Sequence, residues 1–199
     1  MKKIKQSFYT SNNVLDISRN ILGKVLVTNF NSKITSGVII EVEAYLGAND
    51  KASHSYNNKK TQRTEPMFLK GGISYVYLCY GIHHLFNIVV GQQDNPCAVL
   101  IRAIKPLIGI NTMLKRRKFS KISKELTNGP GKLTQALGIT TKLNKVSLTG
   151  NRIWIEDQEI KFRKKDILSS PRIGVDYAED DAKLPYRFYF KNNKWVSKS

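Results

Sequence analysis

Glu41, Glu43, Tyr45 and His54 stand close together in the sequence and carry side chains that are suited to chemistry. Carboxylates and imidazoles are the usual groups for moving protons, and an aromatic ring can stack on a planar ligand. An acid, an aromatic ring and a histidine at this spacing form a candidate site. Whether they meet depends on the element that carries them.

The pattern around these residues predicts a strand over residues 37–45. The even positions from 38 to 44 are all apolar, whereas the odd positions carry Glu41, Glu43 and Tyr45. Both carboxylates are therefore expected on one face. Gly47 then ends the strand, and a polar loop carries His54. An amphipathic strand with a solvated polar face is the alternative, and parity does not choose between them.

Positive charge is the strongest global feature of the chain. Its 199 residues include 33 Lys or Arg and 15 Asp or Glu, which gives a net charge of +18. An excess of this size predicts a polyanionic partner, and nucleic acid is the usual one. A generally basic surface without a specific partner is the other explanation. Charge gives affinity for phosphates, and it does not name a reaction.

Length and composition favour one domain over residues 1–199 in a reducing intracellular compartment. No apolar run reaches the roughly 18 residues that a membrane span needs, and the basic residues 1–6 are not followed by the apolar region of a secretory signal. Cys79 and Cys97 lie in apolar runs and are expected to pack as small hydrophobic residues. With three histidines and no CxxC motif, no metal site is expected. Since no apolar seam stands out, we expect a monomer.

The rest of the pattern predicts short helices and strands joined by hairpins, which indicates the α+β class around an antiparallel sheet. Residues 47–70 form a long, basic, polar loop, and such a length favours a functional role. Helices are expected over 12–22, from Pro106 and over 132–137, and strands over 24–30, 73–80, 84–90, 97–104, 171–175 and 186–190, with a hairpin over 146–163.

Two further features bear on the candidate site. The strands before and after Gly81 predict a hairpin with Tyr80 near its tip, and Tyr77 has the opposite parity, so one tyrosine can face the site. Arg102 lies on an otherwise apolar strand face, and if buried it needs an anionic partner. Glu43 is the expected partner. An arginine that reaches solvent at the strand end is the alternative.

Together these motifs resemble the signature of the alkyladenine (3-methyladenine) DNA glycosylase family. Each motif is weak alone, but in order and spacing they cover nearly the whole chain. The matching segments are 41–47 (EVEAYLG), 54–55 (HS), Thr61, Arg63, 67–68 (MF), 75–81 (YVYLCYG), Asn87, 100–103 (LIRA), 128–130 (NGP), 132–133 (KL), 135–137 (QAL), 171–175 (PRIGV), 187–189 (RFY) and 195–197 (WVS).

The resemblance implies a single compact α+β domain with a curved antiparallel sheet, surrounding helices and a protruding β-hairpin that enters the minor groove of double-stranded DNA. It implies an enzyme of base excision repair that flips alkylated or deaminated purines, of the 3-methyladenine, hypoxanthine or ethenoadenine type, out of the duplex. The N-glycosidic bond is then hydrolysed without a metal or cofactor. No lysine matches a Schiff-base nucleophile, so the expected product is an abasic site in an uncut strand.

The resemblance also assigns roles in the reaction and in DNA binding. Glu43 matches the general base that activates water, and Arg102 matches the arginine that helps to hold Glu43 and the water. Tyr80 matches the side chain that wedges into the gap left by the flipped nucleotide. Contacts to phosphate are expected from Lys59, Thr61 and Arg63.

The base pocket follows from the same resemblance. Tyr45 and Tyr77 match the aromatic residues that sandwich the flipped base, and His54 closes another side. Main-chain groups at Ala52 and His54 are expected to read the base edge. Asn87 matches a residue that excludes normal guanine by crowding its exocyclic amine.

Five neighbouring residues receive no catalytic role. Glu41 is expected to be structural, Lys132 and Arg172 to be structural or to contact phosphate, and Tyr75 and Tyr177 to pack. Two rival functions stay open: a basic nucleic-acid-binding module without catalysis, and a hydrolase of free nucleosides.

Overall fold

The computed structural model describes residues 2–11, 13–160 and 162–197. In this part of the chain nine strands form one sheet, and all strand pairings are antiparallel. The strands are β1 (Lys2–Lys3), β2 (Val25–Phe30), β3 (Lys33–Tyr45), β4 (Ser74–Cys79), β5 (His83–Val90), β6 (Cys97–Ile108), β7 (Ile153–Asp157), β8 (Ile167–Ser170) and β9 (Arg187–Phe190). The α-helices are α1 (Gln6–Tyr9), α2 (Val14–Ile21), α3 (Ile110–Arg117) and α4 (Pro130–Leu137). The expected α+β class is confirmed.

The sheet is organised around β3, which is its longest strand. The strand order is β1-β7-β2-β3-β6-β5-β4, with β9 paired to both β3 and β8. One edge of β3 pairs with β6, whereas the other pairs with β2 as far as Val38 and with β9 from Glu41 to Glu43. Because β2 is short, β9 takes up main-chain groups of β3 that β2 does not reach. The segment with both carboxylates therefore has a strand on each side.

Three bulges interrupt the pairing of β3 with β6: Leu107 is the extra residue of the first, Ile40 of the second and Arg102 of the third. The positions of β6 that face the main core change at Arg102. Before it, the odd positions Val99 and Ile101 pack in the core, and after it the even position Ile104 does so. A bulge re-aims side chains in this way and is common beside active sites. Arg102 therefore points away from the main core although apolar residues surround it in sequence.

The main core lies between one face of the sheet and helices α2 and α4. Helix α2 turns Val14, Ile17 and Ile21 inward, and the side chain of Asn13 caps it by accepting a hydrogen bond from the main-chain N–H of Asp16 at 3.1 Å. A smaller apolar cluster covers the opposite face of the sheet and consists of Met67, Phe68, Tyr75, Val89 and Ala98. The two clusters fix β4, β5 and β6 from both sides.

The helix expected from Pro106 forms as α3, but its predicted start is wrong, because β6 continues through Pro106 to Ile108 and α3 begins only at Ile110. Pro106 pairs with Gly37 beside a bulge near the strand end, which is a position where a missing N–H is tolerated. Gly109 makes the turn into the helix at a φ of 74°, and a Cβ there would lie 2.3 Å from the carbonyl oxygen of Ile34.

Two β expectations near the C-terminus are also wrong. No hairpin forms over the described residues of 146–163, since β7 pairs with β1 and β2 and Ser147 makes only an isolated bridge to Ile73. Residues 171–175 form no strand, and the strand in this region is β8. Residue 161 of the expected hairpin and residue 12 of the expected first helix lie outside the described residues.

Two structural features are absent from the described residues. None of their helices is long and apolar enough to cross a membrane. No group of three or more His, Cys, Asp or Glu side chains in this part of the chain is arranged to hold a metal ion. Cys79 and Cys97 are both free thiols.

Candidate active site

A cavity of about 660 Å³ opens on the sheet face opposite the main core. Its floor is formed by β3, β4, β5 and β6, whose register places Tyr75, Asn87, Leu100 and Glu43 in one row across the strands. Residues of the 47–70 loop, the start of α4 and the segment 173–177 form its walls. Its volume lies in the range of small-molecule sites.

Glu43 lies at the floor of this cavity with no exposed side-chain surface. Its Oε1 forms an ion pair with Arg102 Nη1 at 3.1 Å and accepts a hydrogen bond from the main-chain N–H of Ile173 at 2.8 Å. Its Oε2 accepts one from the Tyr45 hydroxyl at 2.9 Å. A carboxylate oxygen can accept a second hydrogen bond, so Oε2 retains capacity for a ligand. The alternative of a solvated strand face is wrong.

Arg102 joins Glu43 to a second buried carboxylate, Glu41. Its Nε lies 3.0 Å from Glu41 Oε1, and Glu41 also accepts hydrogen bonds from Arg187 Nε at 2.7 Å and from the main-chain N–H and Oγ of Ser197 at 2.6 and 2.7 Å. Burial opposes the charge of Arg102, but Glu43 and Glu41 outweigh it and raise the pKa of the guanidinium. The ion pair expected between Arg102 and Glu43 is therefore present, and Glu41 shares it.

His54, Tyr75 and Tyr77 form one aromatic wall. The His54 ring lies edge-on to Tyr77 with centroids 4.8 Å apart, and its Nδ1 is 2.9 Å from the Tyr75 hydroxyl. Burial and the nearby Arg63 lower the pKa of His54 to about 4, so the imidazole is neutral at pH 7. Arg63 Nη2 lies 3.4 Å from Nε2 and can only donate, which assigns the ring proton to Nδ1.

Tyr45 forms a second wall and is supported from behind. The guanidinium of Arg172 lies 4.9 Å from the Tyr45 ring centroid and binds both carboxylate oxygens of Asp50, at 2.5 and 2.8 Å. Asp50 also accepts a hydrogen bond from the main-chain N–H of Ala52 at 3.0 Å. Burial, and then Glu43, raise the pKa of Tyr45. Since Arg172 is buried, these contacts favour its structural role over phosphate contact.

The loop that carries Ala52 and His54 starts at Gly47, and glycine is required there. Gly47 has a φ of 74°, and a Cβ would lie 2.8 Å from the carbonyl oxygen of Pro96. The chain therefore turns tightly against the start of β6 directly after Tyr45. This close approach brings the loop back over the cavity.

Tyr80 stands at the tip of the β4–β5 hairpin and is 88 % exposed, with Ile82 beside it at 71 %. Tyr80 has a φ of 50°, which is uncommon for a large side chain, and Gly81 follows it at 72°. Both Tyr80 and Tyr77 line the cavity, Tyr80 at the tip and Tyr77 within the strand. The hairpin therefore presents one aromatic ring to solvent and another to the site.

The three residues expected to contact phosphate are placed differently from one another. Arg63 lines the cavity, with its guanidinium 4.7 Å from the Tyr77 ring centroid, although its side chain is exposed. Lys59 and Thr61 are exposed on the loop before it and are not among the residues that line the cavity.

Some cavity residues were not assigned to the site from the sequence. Tyr75 packs as expected but also lines the cavity, and its shared parity with Tyr77 is a signal that could have found it. The expectation that Tyr177 packs is wrong, since it is 65 % exposed and donates a hydrogen bond to the carbonyl oxygen of Ala52 at 3.1 Å. Ile173 contributes a main-chain N–H, which no side-chain pattern reveals.

Comparison with known proteins identifies the family. Residues 7–194 match the family model of methylpurine-DNA glycosylases. Three bacterial relatives are named as candidate 3-methyladenine DNA glycosylases. The one from Chlamydia felis is 48% identical over 96% of this chain and 97% of its own length. Those from Clostridium botulinum and Bacillus cereus are 44% and 43% identical, over 98% and 96% of this chain and 98% and 97% of their own lengths. The chain therefore belongs to the methylpurine-DNA glycosylase family, enzymes that hydrolyse N-glycosyl bonds in DNA.

Proposed function

We propose that this enzyme flips alkylated or deaminated purines, of the 3-methyladenine, hypoxanthine or ethenoadenine type, out of duplex DNA and hydrolyses their N-glycosidic bond with a water activated by Glu43. The observation that carries the proposal is the carboxylate of Glu43, which three donors hold at the floor of an aromatic cavity. A carboxylate is suited to this reaction twice, because it accepts a proton and stabilises positive charge on the sugar.

In the proposed reaction the bond between C1′ and N9 of the purine breaks, and its electron pair leaves with the base. The sugar passes through an oxocarbenium-like state. Water then adds to C1′, and its proton passes to Oε2 of Glu43, which leaves an abasic sugar with a hydroxyl at C1′. Arg102 holds Oε1 and thereby orients the carboxylate.

Tyr45 and Tyr77 supply the stacking faces for the flipped base, each worth about 1–3 kcal/mol. A neutral His54 is compatible with an uncharged base edge beside it, and the carbonyl oxygen of Ala52, which accepts one hydrogen bond from Tyr177, can accept a second from the base. Asn87, which donates to the carbonyl oxygen of Tyr75 at 3.2 Å, is fixed on the floor where it would crowd the exocyclic amine of guanine.

The hairpin tip supports an approach from the minor groove, with Tyr80 filling the gap left by the flipped nucleotide. Lys59, Thr61 and Arg63 lie on the loop beside the cavity and are proposed to contact phosphates. The net charge of +18 supplies general affinity for the backbone. One monomer acting on DNA inside the cell is sufficient for this scheme.

We infer that the enzyme leaves the strand uncut. Lys132 is the lysine that lines the cavity in the described part of the chain, and its ammonium binds Glu125 and also Asn128 Oδ1, the latter at 3.0 Å. An amine held by two acceptors in this way is not free to attack C1′ as a Schiff-base nucleophile.

The test of the proposed base is Glu43→Gln, assayed on a duplex with one hypoxanthine. We expect single-turnover base release to fall by about 10²- to 10⁴-fold, the usual contribution of a general base, while lesion-duplex affinity is kept. The product of the parent enzyme should be cut only after alkali treatment, and a free methylated nucleoside should not be hydrolysed.

The matched control is Asp157→Asn, which removes a carboxylate that pairs with Lys24 away from the cavity. It should release the base at the parental rate. Unchanged release by Glu43→Gln would refute the assignment of the base, and absence of release by the parent would favour a DNA-binding module.

A further inference from the structure

Glu41 is more completely held than any structural role on a strand requires. Four donor atoms bind its carboxylate: Arg102 Nε, Arg187 Nε, and the main-chain N–H and Oγ of Ser197. It has no exposed surface, and it is not among the residues that line the cavity. Its position is therefore directly behind the site, with Arg102 between it and Glu43.

Ser197 completes this cluster from the C-terminal segment of the chain. Its Oγ donates to Glu41 and accepts from Arg102 Nη2 at 3.4 Å, while its carbonyl oxygen accepts from Arg187 Nη2 at 3.4 Å. One residue thus contacts all three charged groups behind Glu43. The segment after β9 consequently forms part of the support for the catalytic carboxylate.

The charges within the cluster balance, since Glu41 and Glu43 face Arg102 and Arg187. Tyr45 and Tyr177 also interact with Glu43 from the cavity side, and the charge of Arg172 acts on Glu43 from behind Tyr45. Buried ion pairs as a class contribute little net stability compared with well-packed apolar residues. Stability alone therefore gives weak reason for four buried charges at this one place.

We propose that Glu41, together with Ser197 and Arg187, is a positioning residue for base excision that fixes the guanidinium of Arg102 against Glu43. The inference rests on the proposed role of Glu43. An arginine side chain has many rotamers, and Arg102 sits in a bulge where the regular ladder does not set its direction. With Nε held by Glu41, the planar guanidinium directs Nη1 to Glu43.

The test is a double-mutant cycle on single-turnover excision, with Glu41→Gln, Arg102→Met and the double variant. Glu41→Gln should lower the rate about 10- to 100-fold, as expected for a misplaced catalytic group, with lesion-duplex affinity kept. If Glu41 acts through Arg102, its substitution should have no further effect in the Arg102→Met background. A purely structural residue would lower both rates by the same factor.

Ser197→Ala is the milder second variant, because it removes the Oγ contacts and keeps the main-chain N–H on Glu41. We expect a smaller loss of rate that also disappears in the Arg102→Met background. Thr28→Val is the matched control for loss of a buried polar group in the same sheet, since Thr28 binds Thr35 and Leu137 away from the cavity. It should lower the melting temperature and leave the rate unchanged.

The outcomes separate the two proposals when Glu43→Gln is assayed in parallel. If Glu43→Gln is inactive but Glu41→Gln and Ser197→Ala release the base at the parental rate, the positioning role is refuted and the assignment of Glu43 as the general base is kept. The same conclusion follows if the effects of Glu41→Gln and Ser197→Ala multiply with that of Arg102→Met. If Glu43→Gln is active, the proposed function itself fails.

Discussion

Individual residues at this site gain their properties from burial and from one or two fixed partners. His54 is the clearest case, because burial and Arg63 both disfavour its charged form and lower its pKa to about 4. Tyr45 likewise stays protonated, since burial and Glu43 raise its pKa. His54 and Tyr45 are therefore uncharged walls of the cavity at neutral pH, whereas the carboxylate of Glu43 lies in its floor.

The His54 pKa predicts how stability depends on pH. In the unfolded chain His54 binds a proton when the pH falls below its ordinary pKa of 6.5, whereas in the folded protein it does so only near pH 4. The free energy of unfolding therefore decreases as the pH falls from 6.5 to 4. The loss from this residue reaches about 3 kcal/mol at most.

Urea denaturation of the parent and of His54→Gln at several pH values measures this contribution. The difference in unfolding free energy between the two should be constant above pH 6.5 and should change between pH 6.5 and 4. His83→Gln is the control, because His83 is exposed on the hairpin and the variant should follow the parent. A His54→Gln curve parallel to the parent would contradict the prediction.

The side chains that could take part in chemistry at the site could be predicted from the sequence. The contacts that distinguish the position of one such side chain from that of another could not. Glu41 and Glu43 have the same type and parity, so the strand pattern does not separate them. The structure does so, because Glu41 is held by Ser197 and Arg187 whereas Glu43 lines the cavity. The Ile173 N–H is a main-chain group present in nearly every residue. Its use at Glu43 is set by tertiary structure alone.

The strands and loops position these residues through bulges and turns. The local pattern of apolar and polar residues predicts such features poorly. Pro106 was expected to begin a helix because proline is common at that position, but pairing with β3 outweighs this preference. The partner of β7 is β2, which is more than a hundred residues earlier, so a local hairpin could not be distinguished from a distant pairing. Strongly alternating segments such as β2 and β4 were predicted well because their periodicity is local.

The β4–β5 hairpin is the element whose tip we expect to act on DNA. Tyr80→Ala should shift the flipping equilibrium of an ethenoadenine nucleotide about tenfold towards the stacked state, because the gap in the duplex is no longer filled. The side chain is 88 % exposed, so the melting temperature should not change. Fluorescence of the ethenoadenine base reports the flipped fraction directly.

Tyr80→Phe is the matched control for this prediction, since it keeps the ring and removes only the hydroxyl. It should flip the base as the parent does. Equal fluorescence from Tyr80→Ala and the parent would count against the wedge and would move the role to another residue of the tip, such as Ile82.

On the scale of the whole molecule, the buried charges of the candidate site are separate from the excess of positive charge. The cluster behind the cavity contains two carboxylates and two guanidiniums and is neutral as a group. The net charge of +18 therefore comes from residues outside it. Salt screens exposed charges over about 8–10 Å but affects buried pairs much less.

This separation predicts that salt acts on binding and not on chemistry. The dissociation constant Kd for a lesion duplex should rise steeply with salt, with a slope of log Kd against log salt of about +4 or steeper, because several phosphates are neutralised. The single-turnover rate at saturating enzyme should stay constant over the same range. Lys59→Gln should reduce the slope by about 1 if this lysine contacts a phosphate. Lys33→Gln should not, since about 33 Å of strand β3 separates Lys33 from Glu43 in the cavity. A rate at saturation that falls with salt would place exposed charges in the chemical step and contradict the separation.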